Sequence, residues 1–168
     1  MSGDLPAWTR GALRIPGAVL EAIEAHALEE YPSESCGLAA GPADDPGLVD
    51  EATREVNEAD KYHRLDPERF PRTSETYFKI NELRAARSFE AGEASGRPIK
   101  LIYHSHCDAG AYFSAEDSAT FASDGILMWP CAFLVVSVVE GVVKDRKLWV
   151  HRPGTNEFDE SSIEVLAP

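Results

Sequence analysis

Residues 133–139 read Phe-Leu-Val-Val-Ser-Val-Val, a run with one small hydroxyl and no charge. β-branched side chains are stiff and pack well on a pleated surface, and a strand without polar alternation has no face to give to water. Such a strand belongs in the middle of a sheet that is covered on both sides, so the rest of the chain has to supply helices above and below it. With 168 residues there is material for one domain.

Helical spacing occurs where this requirement needs it. Pro16 opens a helix in which Leu20, Ile23, Ala27 and Tyr31 recur, and Pro32 ends it. Thr73 or Ser74 is placed to cap a second helix that carries Tyr77, Ile80, Leu83, Ala86 and Phe89 as far as Gly92. A third helix is expected over 115–127. Shorter strands are expected at 12–15, 35–40, 48–57, 99–103, 147–151 and 162–166, with a breaker-rich loop at 41–47. The expected fold is a single mixed-sheet α/β domain flanked by about three helices. It occupies residues 14–168 behind a lead-in over residues 1–13, with no repeat and no internal linker.

Charge and cysteine usage narrow the function classes. Lys and Arg number 16 against 29 Asp and Glu, a net charge of −13. That envelope repels phosphate backbones and anionic lipid, so neither nucleic acid nor a membrane surface is expected as a partner. Cys36, Cys107 and Cys131 are odd in number and widely spaced, which argues against a disulfide framework or a structural zinc ribbon. No secretory leader and no apolar run of about 18 residues is present, so a cytoplasmic protein is expected. Oligomeric state is not constrained, although Trp8, Tyr112, Phe113 and Trp129 read as exposed aromatics.

The chemistry-bearing stretch is residues 103–117, Tyr-His-Ser-His-Cys-Asp-Ala-Gly-Ala-Tyr-Phe-Ser-Ala-Glu-Asp. Histidines two apart on a strand point to the same face, so His104 and His106 can reach one ion. Asp117 follows in the first turn of a helix, where a third ligand would leave one tetrahedral position open for chemistry. Each piece also has an ordinary explanation. An isolated His-x-His pair is more often two polar residues where a strand leaves the core. Ser114 and Asp117 alone make a capping box, and Glu34 alone is a solvated carboxylate.

Together, His104-x-His106, seven residues, Ser114, two residues and Asp117 resemble the signature of the JAMM (MPN+, Mov34/PAD-1) metalloproteases. Glu34-Ser-Cys36-Gly37, Asn57, Leu65-Asp66-Pro67, Trp129-Pro130 and Ser137 extend the resemblance over about residues 14–165. The likeness is to the bacterial single-domain, CysO-cysteine hydrolase-like type. It implies an MPN fold, similar to that of cytidine deaminases, and a bound Zn2+. The resemblance also implies that His104, His106 and Asp117 are metal ligands, that Glu34 shuttles protons and that Ser114 donates to an oxyanion. The implied activity is zinc-dependent peptidase or isopeptidase cleavage after the Gly-Gly tail of a small ubiquitin-like or sulfur-carrier protein. The alternatives are hydrolysis of a small-molecule amide and a non-catalytic interaction module. Many members have proline after the second histidine, where this chain has Cys107; a loop cysteine pointing away from the metal is expected there, so that Cys107→Ala retains zinc. Because such carriers are often acidic, docking calls for apolar contact or a local cationic patch, for which Lys79, Arg84 and Arg87 on the second helix are candidates.

Overall fold

A computed structural model describes residues 4–168, so the first three residues of the lead-in lie outside it. After a 3₁₀ turn (Ala7–Arg10) come β1 (Leu13–Pro16), α1 (Gly17–Glu30), β2 (Cys36–Ala40), β3 (Glu51–Glu55) and α2 (Ala59–Leu65). α3 (Glu82–Ser95), β4 (Ile99–Cys107), α4 (Ala115–Phe121), β5 (Ala122–Ser123) and β6 (Ile126–Leu127) follow. β7 (Ala132–Val139), β8 (Val142–His151), β9 (Phe158–Ser161) and β10 (Ile163–Leu166) complete the chain. The main sheet has the order β3-β2-β4-β7-β8-β9, in which only β4 and β7 run parallel. A small parallel pair of β1 and β10 lies apart from it.

β7 is buried from Ala132 to Val138, between β4 and β8, as its composition demands. On one face of the sheet Leu20, Ile23 and Ala27 of α1 pack with Leu101, Tyr103, Leu134 and Val136. On the other, Phe78, Phe89 and Phe121 pack with Leu38, Ile102 and Phe133. The mixed α/β architecture is therefore the expected one.

Several details differ from the expectation. The second helix does not start at Thr73 or Ser74: α3 begins at Glu82, capped by the Asn81 side chain, which accepts from Arg84 N at 3.0 Å. Residues 73–81 are held instead by Asn57, just ahead of an unexpected short helix, α2, and by Asp60 within it. The third helix stops at Phe121, because Asp124 and Gly125 both take positive φ (52° and 77°) and turn the chain into the β5–β6 hairpin. Three of the four supposedly exposed aromatics are packed. Trp8 is buried and donates to Pro130 O at 2.9 Å, Trp129 stacks on Phe89, and Phe113 packs against Phe158. Only Tyr112 is exposed. Among the described residues no helix is long and apolar enough to cross a membrane.

Candidate metal centre

Side chains alternate across β4, so Ile102, His104 and His106 share the face covered by α3 and α4, while Leu101, Tyr103 and Ser105 face α1. Both histidines lie inside the strand, which runs four residues beyond the expected end. His104 is completely buried and its ring stacks on Phe78, centroids 4.3 Å apart.

The neighbouring strand places Glu34. Cys36 pairs with His104, and Gly37 with Tyr103. Gly37 is required there because a Cβ would lie 2.3 Å from the Tyr103 ring. Just before Cys36, Ser35 N donates to Ser105 Oγ at 2.7 Å, and Ser105 N donates to Ser35 O at 3.1 Å. The residue between the histidines thus clamps the segment that carries Glu34. Asn57 holds the same segment from outside: its Nδ2 donates to Glu34 O and Tyr77 O, and its Oδ1 accepts from Ala59 N and Lys79 N, all at 3.0 Å. Asp60 accepts from Ser74 N and Oγ, and Ser74 O accepts from Glu34 N.

The loop between His106 and α4 is fixed through its carbonyls. Ala109 O accepts from Ser137 Oγ, Ala111 O from Trp149 Nε1 at 2.9 Å, and Gly110 O from His106 Nδ1 at 2.8 Å. A carbonyl can only accept, so His106 carries a proton on Nδ1, and in the neutral ring the lone pair is at Nε2. Ser114 then opens α4 with a capping box: its Oγ accepts from Asp117 N, and Asp117 Oδ2 accepts from Ser114 N, both at 3.0 Å. The Ser114 hydroxyl hydrogen is not used by the cap.

That same Asp117 Oδ2 lies 3.1 Å from His104 Nε2 and 3.2 Å from His106 Nε2, and the two nitrogens are 3.3 Å apart. Donors bonded at about 2.0–2.1 Å to one tetrahedral cation stand about 3.3 Å from each other. The triangle therefore fits a small divalent ion, and three converging acceptor atoms are a donor set for one. The Glu34 carboxylate lies within 4.8 Å of both imidazole nitrogens. The ordinary readings survive as partial truths: the capping box is real, and the capping carboxylate also completes the triangle.

Burial pushes the Glu34 carboxyl up to about 8, with His106 pulling the other way and Asp117 adding to the rise. Asp117 is raised by burial, but His104 and His106 outweigh it and hold the carboxyl well below its usual range. His104 is lowered by burial against the pull of Asp117, which favours the neutral, lone-pair form. Cys107 is not the loop residue expected: it is the last residue of β4, because the strand runs on past the histidines, and it lines the same cleft as Glu34 and His106. Its thiol is pushed up to about 12, by burial first and then by the charges of Glu34 and Asp108.

The five residues singled out from the sequence, Glu34, His104, His106, Ser114 and Asp117, converge on one cleft, whose lining also includes Arg72, Tyr77 and Tyr112. Ser105, Asp60 and Arg72 carry no assignment from sequence, and Ser74 reads there only as a helix cap. Asn57-x-x-Asp60, two capping-type side chains ahead of a short polar stretch, is the available signal for the Asp60 anchor, whereas nothing local marks Arg72 or Ser105. Of the proposed cationic patch, Arg84 lies 3.8 Å from Glu55, and Lys79 precedes α3 and lies 3.4 Å from Glu82.

Known proteins resemble the chain in sequence and in fold. The family described as prokaryotic homologs of the JAB domain matches residues 16–151. CysO-cysteine peptidases of Mycobacterium tuberculosis and Mycobacterium bovis are each 28% identical over 105 residues, 62% of this chain and 62% of the relative. The match thus spans less than two thirds of those relatives. Among solved structures, a protein from Desulfitobacterium hafniense superposes with a TM-score of 0.68 at 22% identity, covering 93% of this chain and 94% of that one. A Salinibacter ruber protein gives 0.61 at 25% identity, covering 92% of each. A JAB1/MPN domain protein from Archaeoglobus fulgidus gives 0.54 at 16% identity, covering 93% and 99%.

Proposed function

The chain belongs to the family of prokaryotic JAB-domain homologues, and on that premise we propose that it is a zinc-dependent peptidase of the JAMM type. The observation that carries the reading is the triangle of His104 Nε2, His106 Nε2 and Asp117 Oδ2, 3.1–3.3 Å on each side, with a buried Glu34 beside it. When bound there, a zinc ion supplies Lewis-acid polarisation and brings the pKa of water towards about 7. Glu34 takes the proton of the attacking water and returns it to the leaving amine, a task suited to a carboxylate held beside the triangle. Ser114 turns its free hydroxyl hydrogen towards the carbonyl oxygen as charge develops. His106 is kept in its ligand tautomer by Gly110 O, and the Asn57 and Ser105 clamps hold Glu34 in register.

The substrate is a small ubiquitin-like or sulfur-carrier protein whose Gly-Gly tail enters the cleft. The name of the mycobacterial relatives supports a carrier, and the aromatic rims at Tyr77 and Tyr112 favour residues without side chains next to the bond.

Purified protein is tested on carriers with C-terminal extensions, with and without a chelator. Cleavage is expected only with metal, and Glu34→Gln is expected to lower kcat by about 10²–10⁴ while bound zinc is unchanged. His104→Ala is expected to lose stoichiometric zinc. Chelator-insensitive cleavage, an active Glu34→Gln or a fully zinc-loaded His104→Ala would overturn the proposal.

A further inference from the structure

A groove of about 440 Å³ leads into the metal cleft from the side of residues 69–82 and α4. It joins the cleft through shared lining residues, Arg72, Tyr77 and Glu116. A chain lying in it therefore reaches the cleft along Arg72.

Its charge is opposite to that of the molecule. Arg69, Arg72 and Lys79 line it against two carboxylates, Glu82 and Glu116, whereas the whole chain carries 29 acidic and 16 basic residues. Residues 61–87 hold seven of those 16 cations and only four of the 29 acids, so the exception is local to this segment. Two of the three cations are mounted on aromatic rings. Arg69 lies 5.2 Å from the Phe70 centroid, and Lys79 Nζ lies 5.1 Å from Tyr62 and 5.9 Å from Phe70. Arg69 has no carboxylate within ion-pair distance among the described residues, and Arg72 bonds Glu116 through one nitrogen only, at 2.7 Å. Guanidinium donors thus remain free along the groove.

We infer that this groove binds an extended, acidic peptide segment, the residues immediately before the Gly-Gly of the substrate tail, and rejects basic tails. The inference rests on the peptidase reading, and it supplies the substrate class. It also removes the difficulty of an acidic carrier meeting a chain of net charge −13. The two envelopes repel, and the acidic tail finds a cationic path to the metal. Lysine or arginine upstream of the diglycine would face Arg69, Arg72 and Lys79 and be excluded by like charge.

The test uses full-length, zinc-loaded Glu34→Gln protein and fluorescent peptides that end in Gly-Gly-Ala, with three upstream glutamates, serines or lysines. The glutamate peptide is expected to bind about 10-fold tighter than the lysine peptide at 50 mM salt, and the difference to shrink to about 2-fold at 0.5 M. Arg69→Glu, at an exposed position, is expected to abolish the preference, and Lys79→Gln to reduce it; unchanged unfolding midpoints show that both variants fold. Equal binding of the three peptides, a preference that survives in both variants, or displacement by single-stranded DNA below the concentration of competing acidic peptide would overturn the inference. Wild-type protein separates the two readings. Cleavage of all three peptides at equal efficiency leaves the peptidase standing and removes the groove's role. Selective binding of the glutamate peptide with no cleavage of any supports the groove and removes the peptidase.

Discussion

Asp117 shows how much one side chain can be asked to do. Its Oδ2 accepts from Ser114 N to start α4 and also faces two imidazole nitrogens. From sequence, capping and ligation look like rival explanations; in space they are one arrangement, because the cap fixes the rotamer that aims the carboxylate inward. A buried histidine outside the site behaves differently. His26 lies behind the sheet with Nδ1 2.7 Å from the Tyr103 hydroxyl, and burial lowers its pKa, with Arg54 adding to the fall and Glu30 opposing it. A folded-state pKa below the unfolded value means stability that is present above about 6.5 and lost as pH falls through the folded value. Wild-type Tm is therefore expected to drop more steeply than that of His26→Gln between pH 7.5 and 5, so that the gap between them narrows; a constant gap would show that His26 does not titrate in this way.

At the scale of elements, the segment between α2 and α3 is the informative part. Tyr77, Ile80, Leu83 and Ala86 have helical spacing, yet residues 73–81 form no helix. Asn57 occupies Tyr77 O and Lys79 N, and Asp60 occupies Ser74 N, so these backbone groups are satisfied from another element. Periodicity reports which residues are apolar and cannot report which distant side chain will claim a backbone bond. Most strands are legible because they need only local patterning, but β9 and the β5–β6 hairpin carry no such signal and β8 reads short at its start, Val142; β4 reads short because His104, Ser105 and His106 are polar residues buried for a site. Asn57→Ala removes four hydrogen bonds and is expected to cost about 2–4 kcal/mol in urea unfolding. It is also expected to lower kcat at least about 10-fold with zinc content unchanged, since Glu34 loses its support. A variant with normal kcat would show that Ser105 alone positions Glu34.

For the molecule as a whole, the excess of 29 acids over 16 bases opposes compaction. The exposed ion pairs that offset it, such as Arg72–Glu116 and Arg146–Glu24, are each worth at most about 1 kcal/mol. Screening should relieve the net repulsion more than it weakens these pairs. Tm at pH 7.5 is expected to rise by a few degrees between 20 and 500 mM NaCl, measured by calorimetry; a fall would mean that the pairs outweigh the repulsion.

Local pattern carries the mixed α/β class, through a largely β-branched strand that only a covered sheet can accept. It also lets His104, His106 and Asp117 face one ion, since histidine spacing on a strand and a capped helix start are local matters, whereas Glu34 and Ser114 join that set only through the family resemblance. Tertiary structure alone decided that Glu34 reaches this set, through Ser105, Asn57 and Ser74, and that Arg69, Arg72 and Lys79 line one groove. These are contacts across tens of residues, made by hydrogen bonds and charges whose partners no local pattern encodes.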